Sequence, residues 1–170
     1  PGTLTSQDLT VDGVGSPPLP HPPALTTSDK GTVLAAYDAR PTLGDLPSHI
    51  GSSCGAAPTA VRPGRRSRCP QGRRPPRGTG DPSLLVDRTT GRIFLFYAAG
   101  ENQGFLGSAT GNDETDPDIL QADYSYSDDD GLTWTHRRIT KQIKNPAWGR
   151  HVRRVGRGHP AAQRRPQGAG

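Results

Sequence analysis

The run Ser127-Asp128-Asp129-Asp130-Gly131-Leu132-Thr133-Trp134 constrains the fold of this chain more than any other stretch, because it fills every fixed position of the pattern S-x-D-x-G-x-T-W. Each fixed residue type suits a tight turn between strands. Gly131 supplies a positive φ without a Cβ clash, and the short side chains of Ser127 and Asp129 can bond backbone N–H groups that the turn exposes. Thr133 completes the pattern, and Trp134 can bury a large ring beneath the loop. An Asp-Gly pair between strand-forming residues predicts a hairpin, so the pattern reports fold before chemistry.

Strand signals flank this turn. Thr32-Val33-Leu34-Ala35-Ala36-Tyr37 follows a Lys30-Gly31 turn and reads as a short buried strand ending at Asp38 and Arg40. Ser83-Leu84-Leu85-Val86 and Arg92-Ile93-Phe94-Leu95-Phe96-Tyr97 flank Asp87-Arg88-Thr89-Thr90-Gly91, which predicts an antiparallel hairpin. After a polar loop over 98–117, a strand over 122–127 enters the turn and another over 135–139 leaves it. Four short antiparallel strands of this kind make one blade of a β-propeller, and the fold class is all-β. Tyr37, Tyr97, Tyr124 and Tyr126 all fall within strand patterns, where core or strand-surface packing explains them.

Composition divides the chain. Only 30% of the 170 residues are hydrophobic and 5% aromatic, low for a packed core, while 22 Gly and 18 Pro approach low-complexity usage. Segments 51–80 and 149–170 hold 13 of the 21 Lys and Arg residues and none of the 16 Asp and Glu, so the net charge of +5 conceals an acidic body. A basic pI would ordinarily suggest nucleic acid. These Arg-rich segments carry no aromatic residue for base stacking, no helical period and no nucleic-acid motif, so no specific nucleic-acid partner is expected. Nor is a transmembrane segment expected, since no run of about 18 apolar residues exists. Pro1 is not followed by a charged-then-apolar export pattern. Cys54 and Cys69 both lie in the first basic segment, and their spacing establishes neither a disulfide nor a compartment.

Several strings together are similar to the bacterial-type exo-sialidases, or neuraminidases: Pro23-Ala24-Leu25-Thr26, Tyr37-Asp38-Ala39-Arg40-Pro41, Gly80-Asp81-Pro82-Ser83-Leu84-Leu85-Val86-Asp87, Gln103-Gly104-Phe105, Asn145-Pro146-Ala147-Trp148 and the Ser127–Trp134 turn, which is the Asp box of that family. The resemblance spans roughly 23–50 and 80–149 and stops abruptly at the basic text. It implies part of a six-bladed propeller, about one recognisable blade plus part of another. The chain then divides into an irregular N-terminal segment (1–22), first propeller strands (23–50), an Arg/Pro/Gly segment (51–79), a blade with the Asp box (80–149) and a basic tail (150–170).

Abrupt Arg, Pro, Gly and Ala-rich text is what a GC-rich gene yields out of frame. One codon choice for 51–64, read in a shifted frame, gives R-V-V-L-R-R-S-T-D-G-G-P-T-W, a second Asp box. A choice for 150–162 gives G-M-F-A-A-S-G-E-G-I-Q-L-R, which holds the Glu that the family places at its active site. Leu19-Pro20-His21-Pro22 permits Y-R-I-P, an arginine motif due just before Pro23. A frameshifted reading is therefore expected, and the alternative is a natural basic linker and tail.

The resemblance implies an exo-α-sialidase that removes terminal sialic acids from glycans, glycoproteins or glycolipids, secreted or at the cell surface, without a cofactor. Its nucleophile is a tyrosine rather than a carboxylate, because a second negative group would repel the substrate carboxylate. Arginines grip that carboxylate, and an Asp serves as acid and base. Asp45 falls at the acid/base position on a loop, Arg40 at a floor arginine of the substrate site and Asp81 near the substrate hydroxyls. A turn-forming Asp45, a surface-paired Arg40 and an Asp81 that merely starts a strand are the structural alternatives. The first family arginine is due at position 21, where the chain has His21; the activating Glu, later arginines and nucleophilic tyrosine have no in-frame counterpart. The chain alone is thus expected to be inactive. The other reading is a noncatalytic carbohydrate-binding or adhesive β module built on Asp boxes. Asp113, Glu114, Asp116, Asp118 and Asp123 lack the alternation of an EF-hand and are expected to form a solvated acidic loop without a metal.

Overall fold

The computed structural model describes the backbone of residues 19–40, 42, 44–48, 50–57, 65–68 and 78–149, and the side chains of 24–40, 42, 44–48, 50 and 78–149. Two four-stranded antiparallel sheets follow one another in chain order. The first holds β1 (Leu19–Thr27), β2 (Val33–Arg40), β3 (Gly51–Ala57) and β4 (Arg65–Arg68); the second holds β5 (Gly78–Val86), β6 (Ile93–Gly100), β7 (Gln121–Ser127) and β8 (Thr135–Arg138). A four-residue helix, α1 (Thr140–Ile143), follows β8. The side chains of His21 and Cys54, all of Cys69, and segments 58–64 and 150–170 lie outside the described residues.

The second sheet is the blade expected around the Asp box. Along β6, Ile93, Leu95 and Tyr97 are buried while Phe94 and Phe96 are half-buried on the opposite face, the period-2 signature of a strand between unlike environments. Ser127 Oγ accepts from the Gly131 N–H at 2.8 Å and donates to Asp129 Oδ1 at 2.8 Å, and Asp129 Oδ1 accepts from the Thr133 N–H at 2.8 Å. Gly131 has a φ of 85°, as its place in the pattern requires. The Trp134 ring is buried and donates Nε1–H to the Gly131 carbonyl at 3.1 Å.

The first sheet extends past the strands expected over 23–50. Leu25↔Ala35 in β1/β2 is matched by Leu84↔Leu95 in β5/β6, Val33↔Ala57 by Ile93↔Ser127, and Ser53↔Arg68 by Asp123↔Arg138. Even the register shift in β1, between His21 and Ala24, recurs in β5 between Gly80 and Ser83. The two sheets are therefore the same blade built twice. β3 and β4 consist of Gly, Ser, Cys, Ala and Arg, with no apolar alternation to announce them. β2 is buried along nearly its whole length, so its outer N–H and C=O groups need backbone partners, and β3 provides them.

The core lies between the sheets. Leu34 and Ala36 of β2 meet Val86, Ile93, Leu95, Tyr97 and Trp134 of the second blade. Each fully buried Leu or Ile side chain contributes about 1.5–3 kcal/mol of transfer free energy. The Asp box belongs to this contact: a Cβ on Gly131 would lie 2.9 Å from Leu34 Cδ2. At the hairpin ends, Arg88 donates to Asp29 at 2.6 Å and the Thr32 hydroxyl to Asp130 at 2.5 Å, linking the β1–β2 turn to both turns of the second blade. Among the described residues no helix is long and apolar enough to cross a membrane.

Candidate functional site

At the end of β2 a buried carboxylate organises the residues singled out in the sequence. Asp38 is 1% exposed, and its Oδ2 accepts from Arg40 Nη2 at 3.2 Å and from the Asp81 N–H at 3.4 Å. Arg40 Nη2 also lies 3.4 Å from Oδ1 of Asp45, whose side chain is 76% exposed. Arg40, Asp45 and Asp81, which the sequence places on a strand end, a loop and the start of another blade, thus converge on one point. In the sequence Asp38 stands at a strand end and within the Tyr37–Pro41 string, with no site role of its own. The signal that could have found it is its spacing from Arg40, since residues i and i+2 of a strand share a face.

Burial pushes the Asp38 carboxyl above its ordinary range, and the hydrogen bond from Arg40 opposes that push. Asp38 Oδ1 and Arg40 Nε are buried and have no hydrogen-bond partner among the described residues. Asp81 has a φ of 56° in the register shift between Gly80 and Ser83. That left-handed backbone turns its N–H onto Asp38 while its side chain stays exposed.

The Asp45 loop is seated on glycines. The Leu46 N–H donates to Asp45 Oδ1 at 2.8 Å, and the Asp45 carbonyl accepts from the Ser48 N–H at 3.1 Å and from the Ser48 hydroxyl. A Cβ on Gly104 would lie 2.0 Å from the Leu46 carbonyl oxygen, and one on Gly78 would lie 2.3 Å from the Ser48 carbonyl oxygen. Gln103-Gly104-Phe105 therefore supports the loop that carries Asp45, by letting two backbones touch. Phe105 and Leu106 beside it are exposed.

Comparison with known proteins bears on the family and the fold. No family model matches the chain. A sialidase of Micromonospora viridifaciens is 41% identical over 154 residues, covering 85% of this chain and 23% of the relative. A sialidase of Bacteroides fragilis (strain YCH46) is 32% identical over 149 residues, covering 80% of this chain and 27% of the relative. Among solved structures, a Hadza microbial sialidase superposes with a TM-score of 0.63 at 30% identity, covering 75% of this chain and 27% of that one. The chain belongs to the bacterial-type sialidases. It spans about a quarter of the length of the curated sialidases it matches. Its two sheets are successive blades of a partial propeller of the sialidase type.

The other polar groups of this sialidase chain have structural work. Asp123 points inward from β7, where burial pushes its pKa up but hydrogen bonds from His136 and Arg138 outweigh that and hold it below the ordinary range. It is therefore no part of an acidic loop. Asp113 bonds the Thr115 N–H and hydroxyl, Asp116 the Asp118 N–H, Asp118 the Asn102 amide and Glu114 the Lys141 N–H. Tyr97 is buried against Ser125 at 3.0 Å, and burial pushes its hydroxyl up to about 12.

Proposed function

We propose that this chain is the part of an exo-α-sialidase that carries the acid/base aspartate, Asp45, and the floor arginine, Arg40, of an enzyme hydrolysing terminal α-linked sialic acids on glycoconjugates. The observation that carries this reading is one guanidinium set between a buried carboxylate and an exposed carboxylate on a loop. Asp38 anchors Arg40 from behind through Nη2, so the guanidinium keeps its orientation when an anionic sugar arrives. Asp45, reachable from solvent, can give a proton to the departing glycoside oxygen and later take one from the incoming water. Asp81 stands where the resemblance sets a partner for the sugar hydroxyls. Such substrates fit an enzyme that is secreted or held at the cell surface.

The nucleophilic tyrosine, its activating Glu and the further arginines have no counterpart in the frame as translated, so the chain by itself releases no sialic acid from an α-sialoside. Turnover that Asp45→Ala abolishes would overturn this. Titration with sialic acid, followed by NMR of the full chain, tests the site: resonances of Arg40 and Asp45 shift, and Arg40→Lys weakens the response. Saccharide binding that survives both Arg40→Lys and Asp45→Ala would instead make the chain a noncatalytic carbohydrate-binding module.

A further inference from the structure

The Asp box holds a reactive pair. Asp130-Gly131 is an Asp-Gly sequence, as is Asp12-Gly13 near the start of the chain. In such a pair the following residue has no Cβ to keep its nitrogen from the aspartate carboxyl carbon. The Gly131 nitrogen can therefore attack Asp130 Cγ: an N–Cγ bond forms, a Cγ–O bond breaks, and the amide proton leaves with that oxygen as water. The five-membered succinimide that results takes up water at either carbonyl. Addition at Cγ restores Asp130, whereas addition at the main-chain carbonyl breaks the original peptide C–N bond and routes the backbone through Cβ and Cγ as isoaspartate.

Each reacting group is held off this path, and part of the restraint comes from the other blade. Gly131 is buried; its N–H donates to Ser127 Oγ at 2.8 Å, and its carbonyl accepts from Trp134 Nε1 at 3.1 Å. Asp130 has left-handed backbone with a φ of 63°, and its Oδ2 accepts from the Thr32 hydroxyl, on the β1–β2 turn, at 2.5 Å. Leu34 of β2 lies over Gly131, where a Cβ would come within 2.9 Å of its Cδ2. Ring closure requires the Gly131 nitrogen to leave Ser127 and the Asp130 carboxyl to leave Thr32. We propose that Asp130-Gly131 is a latent isoaspartate modification site, gated by the contact between the two blades. While the blades are packed the pair is inert, and when they part it rearranges. Isoaspartate lengthens the main chain by a methylene, so the bonds of the turn to Ser127 and Trp134 cannot reform, and separation of the blades becomes irreversible. The reaction needs only water and stands apart from catalysis by Asp45.

The full chain is incubated in heavy-oxygen water at neutral pH, in native buffer and in urea, and isoaspartate at Asp130 and Asp12 is followed by peptide mapping with electron-transfer fragmentation. In urea both pairs isomerise. In native buffer Asp130 reacts at least about tenfold more slowly than in urea, as expected of a site reached only by local opening. Thr32→Val, which loses a hydrogen bond between the blades, speeds the native reaction at Asp130 about two- to tenfold and leaves Asp12 unchanged. Leu34→Ala speeds it as well, whereas Thr32→Ser, which keeps the hydroxyl, does not. Equal rates at Asp130 in native buffer and urea, or a native rate that neither Thr32→Val nor Leu34→Ala raises, would overturn the proposal. The comparison of native buffer with urea uses the unsubstituted chain, so it decides the matter even where a variant folds poorly.

Discussion

Asp129 and Asp38 are carboxylates with opposite effects on stability. Hydrogen bonds from the Thr133 hydroxyl and amide hold Asp129 down to about 2, against an ordinary 3.8. A carboxylate lowered in the fold stabilises it above the unfolded value, and that contribution is lost as the pH falls through the folded value. Asp129→Asn is therefore expected to flatten the pH dependence of urea unfolding between 3.8 and about 2. Asp38 has the reverse sign: burial raises it, so its contribution is greatest below its unfolded value and declines as the pH rises. Asp38→Asn is expected to leave the thermal midpoint at neutral pH unchanged or higher while loosening Arg40, a difference visible as line broadening of the Arg40 side-chain NMR signals.

At the scale of elements, the Asp45 loop depends on a contact distant in sequence. With only 2.0 Å between a Cβ on Gly104 and the Leu46 carbonyl oxygen, Gly104→Ala must push the Asp45 loop away from the loop that follows β6. A loss of about 1–3 kcal/mol is expected from such overpacking, with shifted NMR signals at Asp45 and Leu46. The blade repeat bears on the reading frame in the same way. Ala57 and Arg65 bracket the same interval as Ser127 and Thr135, which enclose the Asp box. Read in the shifted frame, the codons of 51–64 put Ser of the second box at position 57 and its Trp at position 64, the places held by Ser127 and Trp134 in the other blade. Sequencing the coding DNA is expected to find codons compatible with that string; incompatible codons would leave β3 and β4 as strands of a natural Gly/Ser/Arg text. These strands were illegible in the sequence because they have no apolar alternation and arise from backbone pairing, β3 on β2 and β4 on β3.

Over the whole molecule, the two blades share one core, and neither sheet has one of its own among the described residues. Leu34→Ala, which removes a side chain 2% exposed between them, is expected to cost about 2–5 kcal/mol. Hydrogen exchange should quicken in β2 and β6 together; quickening confined to β2 would show the blades to be separate units. The sequence by itself determined the Asp box, the β5–β6 hairpin and the sialidase kinship, because these rest on residues within a few positions of one another whose turn and strand chemistry is local. It named Arg40, Asp45 and Asp81 but neither the buried Asp38 they surround nor the glycine seat of their loop. Those were decided by tertiary structure alone, since a carboxylate on β2 meets a backbone N–H of β5, and Gly104 meets Leu46, only when one blade packs against the next.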